Sequence, residues 1–212
     1  MREYGYDVFT VVDDNSVRYP GENYVQYDNS DCAKLGWKNV NFTIKKGSPS
    51  AWDKGLRFAF EKEYEHVWFI EDDVFIPNKD AIQYIDKKYT ENTADILSTT
   101  HGVNATGTLD WHWKYAQGHI ALPWASSMVC AVRLSRRVLT AVDNYRLDHG
   151  TLLFLEFFFN TLALHNEYTV LTAPELAGIV YRRDWKKSDI QQNHLYHPVK
   201  SWEEQKRMRL SS

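Results

Sequence analysis

The sequence places three consecutive carboxylates directly after a short apolar run. Glu71, Asp72 and Asp73 follow the apolar residues 67–70, and apolar sequence resumes at once with Val74. Adjacent carboxylates repel one another, so placing them beside a buried strand costs free energy unless a cation offsets the charge. Carboxylate oxygens suit Mg²⁺ or Mn²⁺, which in turn bridge phosphate oxygens. A solvated turn with helix-capping acids is the alternative, and the apolar flanks favour the metal-site interpretation.

A further acid, Glu156, stands inside the strongly apolar segment 152–159. A carboxylate among Leu and Phe side chains needs a partner or a function, because burial disfavours its charged form. Burial would raise its pKa toward a range that is useful for proton transfer. The alternative is a glutamate at the rim of its helix, with the carboxylate in solvent.

The elements that must position these acids alternate between strands and helices in the first half of the chain. The patterns predict strands at residues 7–12, 39–44, 67–70 and 96–99, and helices over 51–64, with Ser48 as its cap, and over 80–89. This alternation indicates a parallel-type sheet covered on both faces.

The second half is predicted to be mixed. Residues 101–124 are rich in Gly, His and Trp and indicate loops or irregular strands. After them the patterns predict a strand at 128–134, helices at 135–142 and 152–164, and strands at 168–171 and 177–181.

Length and composition favour one domain that comprises all 212 residues. The net charge of −3, without a long basic stripe, gives no general attraction to nucleic acid. Cys32 and Cys130 lie far apart and outside any CxxC motif, which predicts reduced thiols in an intracellular protein. We find no signal peptide and no apolar run of membrane length, so the expected location is cytoplasmic.

Taken in chain order, several segments resemble the motifs of the GT-A glycosyltransferases. The triplet 71–73 resembles their acidic DxD signature in a Glu-Asp-Asp form, and residues 10–14 resemble their first strand and nucleoside-binding loop. Residues 47–60 resemble the family's Gly-x-x-x-Ala-Arg-Asn-x-Gly segment. Four of its positions are in register, with Trp52 in place of the arginine: Gly47, Ala51, Asp53 and Gly55.

The downstream half carries the rest of the resemblance. Residues 126–139 resemble the floor of the sugar site, and residues 155–164 resemble a helix whose first acid faces the reacting sugar or the acceptor hydroxyl. The tail resembles the closing motif of some retaining members, in which a His completes the metal shell and a Lys six residues later holds the diphosphate. His194, Lys200 and Trp202 reproduce that spacing, although His197 stands between them as a rival ligand.

The resemblance implies a single GT-A, Rossmann-like α/β domain with a central mixed, mostly parallel sheet flanked by helices. Residues 1–100 would form the nucleotide-sugar-binding half and residues 101–212 the acceptor and catalytic half. The implied activity is metal-dependent transfer of a sugar from a nucleotide-sugar, a UDP-sugar by family analogy, to a glycan or glycoprotein acceptor, with retention of configuration. The chain also resembles the amino-terminal glycosyltransferase domains of chlorella viruses that are associated with capsid glycan synthesis, so it is expected in a host cytoplasm and as one module of a longer protein.

The same resemblance assigns roles to individual residues. Mn²⁺ or Mg²⁺ would be held by Asp73, Glu71 and His194, or by His197 in place of His194. The UDP-sugar would be contacted by Asp13, Asp53, Lys54, Glu71 and Lys200. Glu156 would act near the anomeric carbon or on the acceptor hydroxyl, and Asp72 would touch the donor sugar or position its neighbours. The acceptor would lie on Trp111, His112 and Trp113, unless these residues only plug a loop.

Other functions fit parts of this pattern. A sugar nucleotidyltransferase also binds nucleotides at a sheet edge, but it carries a Gly-rich, basic loop where this chain has Asp13 and Asp14. A metal-dependent phosphohydrolase should show more His and Asp ligands over several strand ends. A non-catalytic carbohydrate-binding or capsid-associated module with the same fold stays open.

Overall fold

The computed structural model describes residues 5–39, 48–89 and 93–209, and in these ranges the protein is mixed α/β with several small sheets. Its α-helices are α1 Asn29–Lys34, α2 Ala51–Glu61, α3 Ala81–Lys88, α4 Arg136–His149, α5 Leu155–His165 and α6 Trp202–Arg209. Its strands are β1 Thr10–Val11, β2 Tyr24–Val25, β3 His66–Ile70, β4 Ile96–Ser98, β5 Gly102–Asn104, β6 Trp124–Ser126, β7 Ala131–Ser135, β8 Val170–Thr172, β9 Gly178–Ile179 and β10 Tyr196–His197. None of the helices in the described ranges combines the length and apolar character that crossing a bilayer requires.

The largest sheet has four strands in the order β3-β7-β4-β8. β7 runs antiparallel to both β3 and β4, whereas β4 and β8 are parallel. The expected mixed α/β class is confirmed, but one central, mostly parallel sheet is not seen in the described ranges, because β7 enters between β3 and β4 in the opposite direction. The remaining described strands form three two-stranded sheets, β1-β2, β9-β10 and β5-β6.

The strongest sequence patterns are confirmed as elements, with altered ends. β3, α3 and β4 lie where the apolar periodicity predicts them. Helix α2 is capped by Ser50 rather than by Ser48, because Ser50 and Asp53 form a capping box. Helix α4 runs well past residue 142 to His149, and the next residue, Gly150, has a φ of +66° in the left-handed region that terminates helices. The predicted strand at 39–44 falls almost wholly outside the described residues.

Three departures show where the patterns were too weak. The predicted strand at 7–12 shrinks to the two residues of β1, which pair with β2 instead of joining the large sheet. Helices α1 and α6 were not predicted, since neither carries an apolar stripe: only Cys32 is buried in α1, and only Gln205 and Met208 are in α6.

The core centres on α5, which packs under β6 and against α4. Phe157, Phe158 and Phe159 are fully buried, and Thr161 joins the helix to Ala125 of β6 by two hydrogen bonds of 2.9 and 3.1 Å. A run of three Phe can be buried all round only if the helix is covered on several faces. This packing fixes the first turn of α5, and with it Glu156.

Two glycines differ in how much space their neighbours leave for a side chain. A Cβ on Gly178 of β9 would overlap the Leu195 carbonyl and lie 2.7 Å from Cδ1 of Tyr196. A Cβ on Gly55, in the middle of α2, would meet Phe69 and Val11 at 3.5 Å, an ordinary van der Waals separation. Only the first position therefore requires glycine for space.

We expect opposite effects from alanine at these two positions. Gly178→Ala should lower the free energy of unfolding by about 1–3 kcal/mol, because β9 and β10 must separate to admit the methyl group. Gly55→Ala should raise it by about 0.4–1 kcal/mol, because the unfolded chain loses backbone freedom without new strain in the helix. Chemical denaturation of both variants beside the wild type measures this, and destabilisation of equal size in both would contradict the packing described.

Candidate active site

Backbone hydrogen bonds hold the acidic triplet from both sides. β3 ends at Ile70, and the Glu71 amide then donates to the Cys130 carbonyl at 2.9 Å, extending the β3-β7 ladder by one bond. Beyond it, Phe75 and Tyr196 exchange two backbone bonds of 2.8 and 3.1 Å. The Val199 amide donates to the Asp73 carbonyl at 2.7 Å. The acids therefore lie in a rigid segment between the start of β7 and the tail.

His197 faces two of these acids. Its Nε2 lies 3.3 Å from Oδ1 of Asp73 and 3.8 Å from Oε2 of Glu71. Its Nδ1 lies 2.6 Å from the Val180 carbonyl, so Nδ1–H is the donor there and Nε2 is directed to the carboxylates. In the neutral imidazole with a proton on Nδ1, Nε2 carries a lone pair. This lone pair faces those of the carboxylate oxygens unless Nε2 is protonated or a cation lies between the groups.

The donor atoms present fit a divalent cation. Oδ1 of Asp73 is buried and has no hydrogen-bond partner among the described residues. Glu71, Cys130 and His197 each offer one ligand atom, and these atoms lie within 4.8 Å of one another. A His whose second nitrogen is fixed by a carbonyl is the usual arrangement of a metal-binding imidazole.

Trp52 orients Glu71 from helix α2. Its Nε1 donates to Oε1 of Glu71 at 2.7 Å, and its ring stacks on Phe69 with centroids 5.3 Å apart. This is the position at which the GT-A pattern has arginine. Because the Trp52 indole is a neutral donor, it orients the Glu71 carboxylate without offsetting its charge. Oε2 of Glu71 then faces His197 and could bind a cation.

A cavity of about 1620 Å³ opens in front of this cluster. It exceeds the roughly 300–1,000 Å³ of a common ligand pocket, so it has room for more than one substrate. Its wall combines the acids with aromatic, hydroxyl and basic side chains. The residues that matter for the chemistry are Asp53, Glu71, Asp73, Trp111, His112, Cys130, Glu156, Arg182, Arg183, His197 and Lys200.

Glu156 lies in the first turn of α5 and lines the cavity. Its backbone carbonyl accepts a 2.8 Å hydrogen bond from the Ser127 amide, which ties the helix start to the cavity wall. Burial, followed by the negative charge of Glu71, raises the pKa of Glu156 to about 7. The carboxyl can therefore hold or release a proton near neutral pH.

Trp111 and His112 form an aromatic rim beside Glu156. The ring centroids of His112 and Phe154, the residue that caps α5, lie 4.8 Å apart, and those of Trp111 and Phe154 lie 6.1 Å apart. Trp111 keeps 45% of its surface exposed. Trp113 instead stacks on Trp124 in the core and does not line the cavity. Of the three predicted acceptor residues, two thus line the cavity.

Four of the other predicted residues lie elsewhere. Lys54 is fully buried, and its Nζ donates to the Asp13 carbonyl at 2.7 Å and to Asn15 at 3.3 Å, which ties the loop after β1 to α2. Asp72 is exposed, and its carbonyl accepts a bond from Gln205. The residues that line the cavity do not include Asp13, Lys54, Asp72 or His194.

Between the two histidines of the tail, the geometry favours His197 as the ligand. His197 is in β10, which pairs with β9 and, through Tyr196, with Phe75. His194 lies in the turn before that strand, and its Nδ1 is buried without a hydrogen-bond partner in the part of the chain described. Asp53 lines the cavity, but its carboxylate also caps α2 through the Ser50 amide at 2.7 Å.

Sequence reasoning missed a basic pair at the cavity mouth. Arg182 and Arg183 are exposed and follow β9. Each guanidinium lies over a neighbouring ring, Arg182 over Tyr181 at 4.8 Å and Arg183 over Trp185 at 4.3 Å. A basic pair directly after a strand end was the available signal. With Lys200, this pair adds three basic side chains to the lining of the cavity that the acidic cluster also lines.

Comparison of the chain with protein-family models, with curated proteins and with solved structures finds no match.

The raised pKa of Glu156 predicts a pH-dependent stability effect. As the pH rises from 4.5 to about 7, the unfolded chain releases this proton while the folded chain retains it, so folding is progressively disfavoured. Glu156→Gln removes that cost. Without divalent cations, we expect the variant to gain stability over the wild type at a pH above 7, and the gain to shrink toward pH 4.5. Denaturant titrations across this range measure it, and a difference that does not vary with pH would contradict the shift.

Proposed function

We propose that the protein is a metal-dependent glycosyltransferase that moves a sugar from a nucleotide-sugar, a UDP-sugar by analogy, to a glycan acceptor. The observation that carries this proposal is that a single cavity combines an acid and imidazole cluster, three basic side chains, a carboxyl with a pKa of about 7 and an aromatic rim. Each of these groups answers one requirement of the transfer. A binding module would need the aromatic rim but not the cation cluster.

The leaving diphosphate requires positive charge. Glu71, Asp73 and His197 would hold Mn²⁺ or Mg²⁺, which when bound neutralises charge that develops on the diphosphate. Lys200, Arg182 and Arg183, which also line the cavity, would supply further positive charge. Guanidinium groups donate bidentately to phosphate oxygens, so the arginines also orient the donor.

Glu156 is the candidate group beside the reacting carbon. With a pKa of about 7 it can accept a proton from an acceptor hydroxyl or stabilise positive charge on the sugar. Trp111 and His112 at the same end of the cavity offer ring faces for the acceptor sugar. Retention of configuration is proposed from the family resemblance alone, because His197, the histidine favoured by the geometry, does not keep the six-residue spacing to Lys200. Proton NMR of the new anomeric centre would test it.

We also propose that the fold is a compact GT-A variant. The support is local: the acids follow the carboxyl end of β3, and β3 lies beside the antiparallel strand β7 that leads into α4. Ligands of open α/β sheets bind at such strand ends.

Replacing one acid of the triplet tests the cation site. Asp73→Asn should weaken Mn²⁺-dependent binding of UDP by about 100-fold or more, since it removes a charged ligand from the cluster. Asp72→Asn is the matched control, because Asp72 is the adjacent acid but is exposed and does not line the cavity. Isothermal titration calorimetry with and without Mn²⁺ measures both. Absence of UDP binding to the wild type, or equal losses in the two variants, would contradict the proposal.

Turnover separates an enzyme from a binding module of the same shape. Glu156→Gln should retain Mn²⁺-dependent UDP binding but lower the rate of donor hydrolysis or transfer by about 10²–10⁴-fold, the usual contribution of a positioned acid or base. Release of UDP from a panel of UDP-sugars, with and without glycan acceptors, measures the rate. Binding without turnover on any donor would favour the non-catalytic module, and turnover only of UTP with a sugar phosphate would favour the nucleotidyltransferase.

A further inference from the structure

The cation cluster contains a thiol. The last ladder bond between β3 and β7 places Cys130 directly across from Glu71. Its Sγ, an oxygen of Glu71 and a nitrogen of His197 lie within 4.8 Å of one another. Cys130 lines the cavity, although only 6% of its surface is exposed. Sulfur is a soft ligand that Mg²⁺ does not favour, so its presence bears on which metal the site selects.

The spacing of the harder donors points in the same direction. Tetrahedral Zn²⁺ with bonds of about 2.0–2.3 Å has ligand atoms about 3.3–3.8 Å apart. Octahedral Mg²⁺ with bonds of about 2.0–2.1 Å has neighbouring ligands about 2.9 Å apart. From His197 Nε2, the 3.3 Å to Asp73 is close to the tetrahedral spacing of a nitrogen and an oxygen ligand, and the 3.8 Å to Glu71 is wider than the octahedral spacing.

We propose that Cys130, His197 and Glu71 form a thiolate-containing site that binds Zn²⁺ in preference to Mg²⁺. This inference rests on the cation site of the proposed function and names its metal preference. On binding, the Cys130 thiol releases its proton to solvent as the bond from Sγ to the metal forms. The fourth position is open to Asp73 or to an oxygen of a bound diphosphate. Zn²⁺ therefore competes with Mn²⁺ and Mg²⁺ for the site at which the donor would bind.

Cobalt substitution tests this directly. Co²⁺ adopts zinc-like geometry, and a thiolate ligand gives it a charge-transfer band in the near ultraviolet. The full chain, kept reduced and free of nucleotide, is titrated with Co²⁺ and then with Zn²⁺. We expect the band to appear with Co²⁺, to disappear as Zn²⁺ displaces it, and to persist when Mg²⁺ is added instead.

Two cysteine variants assign the band. Cys130→Ser should abolish it and weaken Zn²⁺ binding by at least about tenfold. Cys32→Ser is the matched control, because Cys32 is the other free cysteine, is fully buried and does not line the cavity. It should retain the band. Circular dichroism verifies that each variant is folded, and X-ray absorption of zinc-loaded wild type, which needs no variant, should show one sulfur in the metal shell.

The outcomes separate this inference from the proposed function. Mn²⁺-dependent UDP binding without a thiolate band, or a zinc shell without sulfur, would overturn the inference alone. A thiolate band that Cys130→Ser removes, in a protein that binds no UDP, would support the inference and overturn the proposed function. A band that survives in Cys130→Ser but not in Cys32→Ser would place the metal elsewhere and overturn the inference.

Discussion

The backbone pairing of the segment from Glu71 to Phe75 is the constraint on which the site depends. One end is bonded to Cys130 at the start of β7, and the other to Tyr196 and Val199 of the tail. The backbones that carry two carboxylates and an imidazole are thereby held close together, and Trp52 and the Val180 carbonyl orient the Glu71 and His197 side chains. The repulsion between the two carboxylates must be offset locally, because separating their backbones would break buried ladder bonds that are costly to leave unmade. A proton on His197 Nε2 or a cation between the groups would offset it without rearrangement of the backbone.

The same pairing links the acids to the core. β7 enters the sheet beside β3, and the Ser127 amide, just upstream of β7, bonds to the carbonyl of Glu156 at the start of α5. The three buried Phe of α5 therefore position a carboxyl whose surroundings differ from those of Glu71. Burial and the charge of Glu71 raise the pKa of Glu156 to about 7. Two carboxylates in unlike surroundings can take different roles, one holding charge and the other exchanging a proton.

The sequence predicted the parts of this arrangement that local pattern determines. The apolar run before the triplet, the periodicity of α3 and the apolar stretch of α5 each specify an element and its buried face. Spacing alone could not show whether His194 or His197 is the better metal ligand, because that depends on the pairing of Tyr196 with Phe75, which is distant in the sequence. Lys54 and Trp113 were predicted to contact ligands, because the sequence alone does not show whether a lysine or a tryptophan lies in the core or in a pocket. The antiparallel entry of β7 is likewise a long-range choice that no local period encodes.

The departures from the GT-A pattern both concern where positive charge lies relative to Glu71. Trp52 stands where the pattern has arginine, so Glu71 is oriented by a neutral donor and keeps its charge. The basic groups lie instead at the mouth, on Arg182, Arg183 and Lys200, all of them exposed. Without a cation the inner wall is negative and would repel a diphosphate. A divalent cation held by Glu71, Asp73 and His197 would offset the charge of the two carboxylates, so the repulsion of a diphosphate would fall. In the proposed function, the metal therefore favours donor binding, because it offsets the repulsion that the two carboxylates exert on the diphosphate.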